Sequence, residues 1–149
     1  TVHFYPMIFS VQYNGGRISL TGEYLYQKNK FLNLGPFSPD ATSASESWYA
    51  QLSYRLNDNW QILGRYGEHY LDRDSRNGDS FKLMGLPPHM GFTKDLTIAL
   101  RWDVKPWMMV RGEYHRINGT SWLTTADNPD RSVTDQHHDL YALQLAFKF

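Results

Sequence analysis

The sequence contains no cysteine. This excludes disulfide frameworks, thiolate zinc sites and cysteine nucleophiles, although it is compatible with any cellular compartment. The sequence also has no net charge, because 15 basic residues balance 15 acidic ones. It therefore lacks the electrostatic signature of a nucleic-acid-binding protein, and no nucleic acid partner is expected.

Long apolar runs are missing as well. No stretch approaches the roughly 18 apolar residues of a transmembrane helix, and no segment shows convincing helical periodicity. Residues 1–10 have neither the basic region nor the cleavage site of a secretory signal. These absences exclude a helical membrane protein and direct attention to β-structure.

Alternation of apolar and polar side chains with a period of two is the dominant pattern. It predicts one apolar and one polar face for each strand, because successive strand residues point to opposite sides. The last strand is the clearest, since its second face carries Gln144 and Lys148 and must therefore be wet. Seven strands are predicted, over residues 7–13, 18–26, 48–56, 60–66, 96–102, 108–114 and 139–149.

The connections alternate in length. Tight turns are predicted at residues 14–16, 57–59 and 104–106, and long polar links at 27–47, 71–93 and 118–138. Short turns on one side and long loops on the other are typical of outer-membrane barrels. A Gly-x-Tyr motif recurs at Gly22, Gly64 and Gly112, which indicates repeated hairpins in one sheet.

Strand parity adds an expectation about the whole protein. The first and last predicted strands run in the same direction, whereas a single-chain barrel of this class normally has an even number of strands. We therefore expect residues 1–149 to be a single β-barrel segment, the C-terminal part of a larger antiparallel transmembrane β-barrel. At least one further strand is expected to precede Thr1.

Aromatic residues make up 15% of the chain, with ten Tyr, eight Phe and five Trp. In a membrane barrel such rings form girdles at both interfaces. A soluble sandwich core is the alternative, but a core would not place its tryptophans only at strand ends. The candidate girdle residues are Tyr13, Trp48, Tyr54, Trp60, Trp102, Trp107 and Trp122.

The last nine residues, Tyr-Ala-Leu-Gln-Leu-Ala-Phe-Lys-Phe, resemble the C-terminal signature of bacterial outer-membrane proteins. The matching positions are Tyr141, Leu143, Leu145, Phe147 and Phe149. The hairpins over residues 48–66 and 96–114 resemble those of porins. The resemblance implies a bacterial outer-membrane location, recognition by the barrel-assembly machinery, surroundings of membrane lipid and lipopolysaccharide, and passive diffusion of small polar solutes. A homo-oligomer is a further possibility.

Charged residues on the polar faces are the candidate pore lining. Fixed charges on a narrow wall set ionic selectivity, and five cations against three anions predict a mild preference for anions. The alternative is that Arg and Glu on adjacent strands pair across the sheet and stiffen the wall. The candidate residues are Glu23, Arg55, Arg65, Arg101, Asp103, Arg111, Glu113 and Lys148.

Enzymatic and metal chemistry are not expected. His3, His89, His137 and His138 lack a spacing that completes a metal site, and no cofactor motif is present. His69 and His115 are expected to face the lumen. Ser80 with His69 and Ser121 with His115 are conceivable pairs, but neither lies in a nucleophile motif.

Apolar residues within two long links suggest a constriction or a plug across the barrel mouth. These stretches are 31–37 and 81–88. The expected function is a porin-like channel for small polar or anionic solutes. One alternative is a barrel that acts in binding or adhesion through its outer loops, and another is a soluble β-sandwich or lipocalin-like binding protein.

Overall fold

The structure is a computed structural model that describes residues 1–32, 41–124, 126 and 128–148. Seven β-strands account for most of these residues. The strands are β1 (Val2–Gly15), β2 (Ile18–Phe31), β3 (Ala41–Arg55), β4 (Trp60–Tyr70), β5 (Phe92–Lys105), β6 (Met108–Gly119) and β7 (His137–Phe147). The predicted number of strands and their order are confirmed.

The strands form one sheet in sequential order, and every neighbouring pair is antiparallel. The predicted all-β meander is therefore confirmed, but the sheet is open. Strands β1 and β7 are its two edges, and they run in the same direction. Antiparallel closure of β1 on β7 is therefore geometrically excluded.

Several strands extend further than the sequence pattern predicted. β3 begins at Ala41 rather than at Trp48, and β2 continues to Phe31, so the predicted link over residues 27–47 is wrong at both ends. The reason is that residues 41–47 are small or polar on both faces and show no alternation. Their backbone nevertheless pairs with β2 over the full length from Ala41 to Ser47.

The β4–β5 connection folds into a short α-helix, α1 (Asp79–Leu83), flanked by two 3₁₀ turns, Arg73–Ser75 and Pro88–Gly91. A helix this short carries no periodic signal, so the sequence did not reveal it. The connection packs against the long-loop ends of β3, β5 and β6. Together with the strand ends it buries Tyr70, Met90, Phe92 and Ile117.

The two faces of the sheet differ in exposure. Cross-strand partners share a face, so the register places Leu20, Leu52 and Ile98 together on the apolar side. All three side chains are exposed, and within the described ranges no second layer covers them. The polar side holds buried Ser53, Asp95 and Thr97 instead, so the apolar residues do not form an internal core.

No helix in the described part of the chain has the length and apolar character needed to cross a membrane.

Candidate functional site on the polar face

All seven candidate pore-lining residues that lie in strands share the polar face. One cross-strand row runs from Arg55 through Gln61 and Arg101 to Arg111. Asp103 and Glu113 stand two residues further along their strands. Arg65 lies two polar rows away from this row, and Glu23 lies one row beyond Arg65. The alternation of the sequence therefore assigned these side chains to one side correctly.

Arg101 and Arg111 stand directly opposite each other on β5 and β6. Each is neutralised by a carboxylate two residues along its own strand. Arg101 Nη2 lies 2.8 Å from Asp103 Oδ1, and Arg111 Nε lies 2.7 Å from Glu113 Oε1. The pairs therefore form along the strands, whereas the sequence suggested pairing across them, because the register places like charges opposite each other.

A hydrogen-bonded network on the same face surrounds His115. Its Nδ1 lies 3.0 Å from Asp95 Oδ2 and 3.1 Å from Thr97 Oγ1, and its Nε2 lies 3.2 Å from Glu113 Oε2. The chain Asp95–His115–Glu113–Arg111 thus links two strands. Buried polar groups need such partners to offset lost hydration, and the network supplies them between β5 and β6.

Three of the candidate cations have no carboxylate within 4.0 Å among the described residues. Arg55 donates to the carbonyl of Asp58 at 3.5 Å, and the Arg65 guanidinium lies over the Tyr49 ring at 4.2 Å from its centroid. Lys148 lines a cavity of about 220 Å³ together with Arg101. The only candidate anion outside the ion pairs is Glu23, which accepts a hydrogen bond from Ser10 Oγ at 3.1 Å.

The candidate girdle residues divide by position. Tyr13, Tyr54, Trp60 and Trp102 lie on the apolar face near the short turns, and Trp48 lies on it near the long links. The Trp60 and Trp102 rings stack with centroids 5.3 Å apart.

Two further tryptophans lie outside the strands. Trp107 lies in the β5–β6 turn and packs on Phe147 at 6.4 Å between ring centroids. Trp122 stands apart from the other six residues, because it packs at 6.2 Å against His69, a residue of the polar face.

The C-terminal strand presents its alternate residues on the apolar face. Tyr141, Leu143, Leu145 and Phe147 are each more than half exposed. Phe149, the last position of the C-terminal signature, lies outside the described residues. Because β7 is an edge strand, these side chains and one row of backbone groups are both accessible to a partner.

The histidines and serines of the described residues do not come together as a metal site or as a serine–histidine pair. The described residues contain no group of His, Asp and Glu suited to a metal ion. Among the described residues, Ser121 Oγ is hydrogen-bonded to Thr93 Oγ1 at 2.7 Å. The His115 ring is hydrogen-bonded to two carboxylates and a threonine. The conceivable serine–histidine pairs are therefore not hydrogen-bonded to each other.

The apolar stretch at residues 81–88 lies at the rim. Phe81 packs beside Gly91, whereas Leu83 and Met84 point into solvent, with Leu83 89% exposed. In this loop Phe81 is anchored, and three large apolar side chains, Leu83, Met84 and Leu86, are exposed. The first apolar stretch, 31–37, falls mostly outside the described residues.

Several residues of this site gave no sequence signal. Asp95 and Thr97 alternate with Leu96 and Ile98 like any wet strand residues, so their burial and their bonds to His115 were not foreseeable. Comparisons with protein-family models, with curated proteins and with solved structures found no match to this chain.

Proposed function

We propose that this chain is part of the wall of a bacterial outer-membrane β-barrel that acts as a porin-like channel for small polar or anionic solutes. The observation that carries the proposal is that the sheet exposes its apolar face and buries polar side chains on the other face, the reverse of a soluble sheet. The apolar side chains are exposed and uncovered, while the Arg101–Asp103 and Arg111–Glu113 pairs of the opposite face are less exposed. A soluble sheet buries its apolar face, whereas a lipid-facing barrel wall exposes it.

The height of the apolar band supports a membrane. On β5 the band extends from Lys94, which lies in the same cross-strand row as Trp48, to Trp102. At about 3.4 Å per residue this is about 27 Å along the strand, and a tilt of about 40° reduces it to about 21 Å along the membrane normal. Outer-membrane barrels have an apolar band about 25 Å tall, flanked by aromatic residues.

The charge of the polar face supports the expected selectivity. The Arg101–Asp103 and Arg111–Glu113 pairs cancel within the wall, which leaves Arg55, Arg65 and Lys148 against Glu23 and Asp95, so that three cations face two carboxylates. Charges that are not paired contribute most to the potential in a pore. The described part of the wall therefore favours anions.

The two open edges require partners in this proposal. Unpaired backbone N–H and C=O groups cost several kcal/mol each in hydrocarbon, so β1 and β7 must pair with strands of the same protein or of further copies. The apolar residues on both sides of β1, among them Phe4 and Phe9, make a bare edge costly in water as well.

Single-channel recording in planar lipid bilayers tests the proposal. The expected result is stepwise conductance, with a reversal potential that indicates anion preference in a salt gradient. An inserted protein without conductance would favour binding or adhesion through the outer loops, for which Leu83 and Met84 offer exposed apolar contacts. A chain that stays monomeric without detergent would contradict the membrane proposal itself.

A further inference from the structure

Two arginines of the β4–β5 connection reach the apolar face of the sheet at its long-loop end. Arg76 Nη2 donates to Glu46 Oε2 at 2.5 Å, and Arg73 Nε lies 3.9 Å from Glu46 Oε1. Their guanidinium groups lie over Tyr26 and Tyr70, each 5.3 Å from the ring centroid. These rings flank Glu46 in one cross-strand row, so both arginines are held above the apolar face.

A third cation, Lys94, lies in the next cross-strand row of the apolar face. Lys94 Nζ lies 3.9 Å from Glu68 Oε1, and Glu68 also accepts hydrogen bonds from the Trp48 indole at 3.2 Å and the Tyr66 and Tyr70 hydroxyls at 2.8 and 2.7 Å. We call Arg73, Arg76 and Lys94 the cationic rim.

The carboxylates and the cations of this edge lie in separate layers. Glu46 is 4% exposed and Glu68 15%, whereas Arg73, Arg76 and Lys94 are 47%, 52% and 37% exposed. The inner carboxylates fix the cations in place. They leave N–H donors exposed, because a guanidinium has five donors and one carboxylate cannot accept from all of them. A ligand approaching from outside meets positive charge.

An apolar groove begins directly beneath the cationic rim. Its upper part, about 450 Å³, lies between Phe9, Tyr24 and Trp48 on the row below Tyr26. Its lower part, about 590 Å³, continues past Gly22 to Leu52. The two parts share Val11 and Gly22 as lining residues, so they adjoin each other along the strands as one open groove. Gly22 keeps it open because it has no side chain.

We propose that the cationic rim and the groove beneath it bind one acidic lipid, with its phosphate on Arg73 and Arg76 and an acyl chain along the groove. Arginine matches phosphate oxygens with paired N–H donors, and the groove offers an apolar surface of the right orientation for a hydrocarbon chain. The charge complementarity selects a phosphorylated lipid over a neutral one. This inference rests on the proposed membrane location, and it adds the partner of the outward face.

Native mass spectrometry of the folded protein in neutral detergent tests this inference. The probes are lipid A with its two phosphates, the same lipid with the phosphates removed, and inorganic phosphate alone. We expect the wild type to retain one phosphorylated lipid, to bind the dephosphorylated lipid at least tenfold more weakly, and not to exchange the lipid for inorganic phosphate.

Variants separate the two halves of the site. Arg73→Gln with Arg76→Gln should weaken lipid binding by about tenfold or more. Arg73→Lys with Arg76→Lys should keep part of the lipid affinity. Gly22→Leu should block the acyl chain while the protein stays folded, because an added Cβ makes only ordinary contacts, with Val11 Cγ1 at 3.4 Å and the Tyr49 carbonyl oxygen at 3.9 Å. Arg55→Gln with Arg65→Gln is the matched control, since it removes two arginines from the opposite face and should leave lipid binding unchanged.

The outcomes distinguish this site from the proposed function. Retention of the lipid by the Arg73/Arg76 variant or by the Gly22 variant would overturn the site, as would equal binding of the dephosphorylated lipid or displacement by inorganic phosphate. Stepwise conductance of the same preparations shows that the barrel is folded in each case. Conductance without lipid selectivity refutes the lipid site alone. Failure of the protein to insert into the bilayer refutes the membrane location on which the lipid site depends.

Discussion

Placing a charge in the middle of the apolar face is the sharpest test of what that face contacts. Ile98 lies four residues from Lys94 and four from Trp102 on β5. Each interval is about 14 Å along the strand, or about 10 Å along the normal of a membrane at a tilt of about 40°. Ile98 is therefore at the middle of the band, with its side chain 51% exposed.

The expected cost of Ile98→Arg depends strongly on the surroundings. In a bilayer, an arginine at the midplane of a barrel wall costs about 2–4 kcal/mol, which is roughly a 30- to 700-fold change in the folding equilibrium. In water, the same substitution at a half-exposed position should stay within about 0.5 kcal/mol. The two environments thus give ranges that do not overlap.

The measurement is reversible urea unfolding from phosphatidylcholine vesicles, followed by tryptophan fluorescence. Ile18→Arg is the depth control, because Ile18 lies on the apolar face close to the short turns and should cost about 0–1 kcal/mol. Thr21→Arg is the face control. Thr21 follows Leu20, which shares a row with Ile98, but it points to the polar side.

A hydrocarbon environment is refuted if Ile98→Arg and Thr21→Arg lose the same stability within about 0.5 kcal/mol. Equal costs would mean that the apolar face meets water or a protein surface rather than hydrocarbon. A cost that falls from Ile98 toward Ile18 would instead map the depth of the band.

Three further changes follow from the polar face, the rim and the backbone. Replacing Arg101 and Arg111 by Glu should shift the reversal potential in a salt gradient toward cation preference, because it reverses two charges and leaves their carboxylate partners unpaired; an unchanged potential would remove these residues from the conduction pathway. Deletion of residues 79–88 should raise the single-channel conductance if the β4–β5 connection narrows the mouth, and an unchanged conductance would count against that role. Gly119→Ala should destabilise the protein by about 1–3 kcal/mol or more in urea unfolding, since the φ of Gly119 is +103° and an added Cβ would clash with the Phe92 carbonyl oxygen. Gly112→Ala is the control expected to change little, because nothing lies within 4 Å of its added atom.

The arrangement of the strands was largely predictable. Tyr13, Leu20 and Leu52 could be assigned to one face from the sequence because the strand period of two is a local property that no distant contact alters. Glu113 and Arg111 were assigned to the other face for the same reason. The boundaries were less predictable, since Ala41 joins β3 through backbone pairing with β2 and not through its side chain.

The partners of the charged residues were not predictable. Arg111 could pair with Glu113 along its own strand or with a carboxylate on the neighbouring strand, and the register decides between the two. The register places Arg101, and not a carboxylate, opposite Arg111. Likewise, His115 was expected on the polar face, but its bonds to Asp95 depend on how β5 aligns with β6.

The sequence by itself determined the meander, its seven strands and the identity of the two faces, because alternation and turn residues act within a few positions of the chain. Only the tertiary structure decided which charges meet. Glu46 and Arg76 are 30 residues apart, and no local pattern links the strand that carries one to the turn that carries the other. Their contact exists because the register of β3 with β4 and the fold of the β4–β5 connection bring the two together at one edge of the sheet.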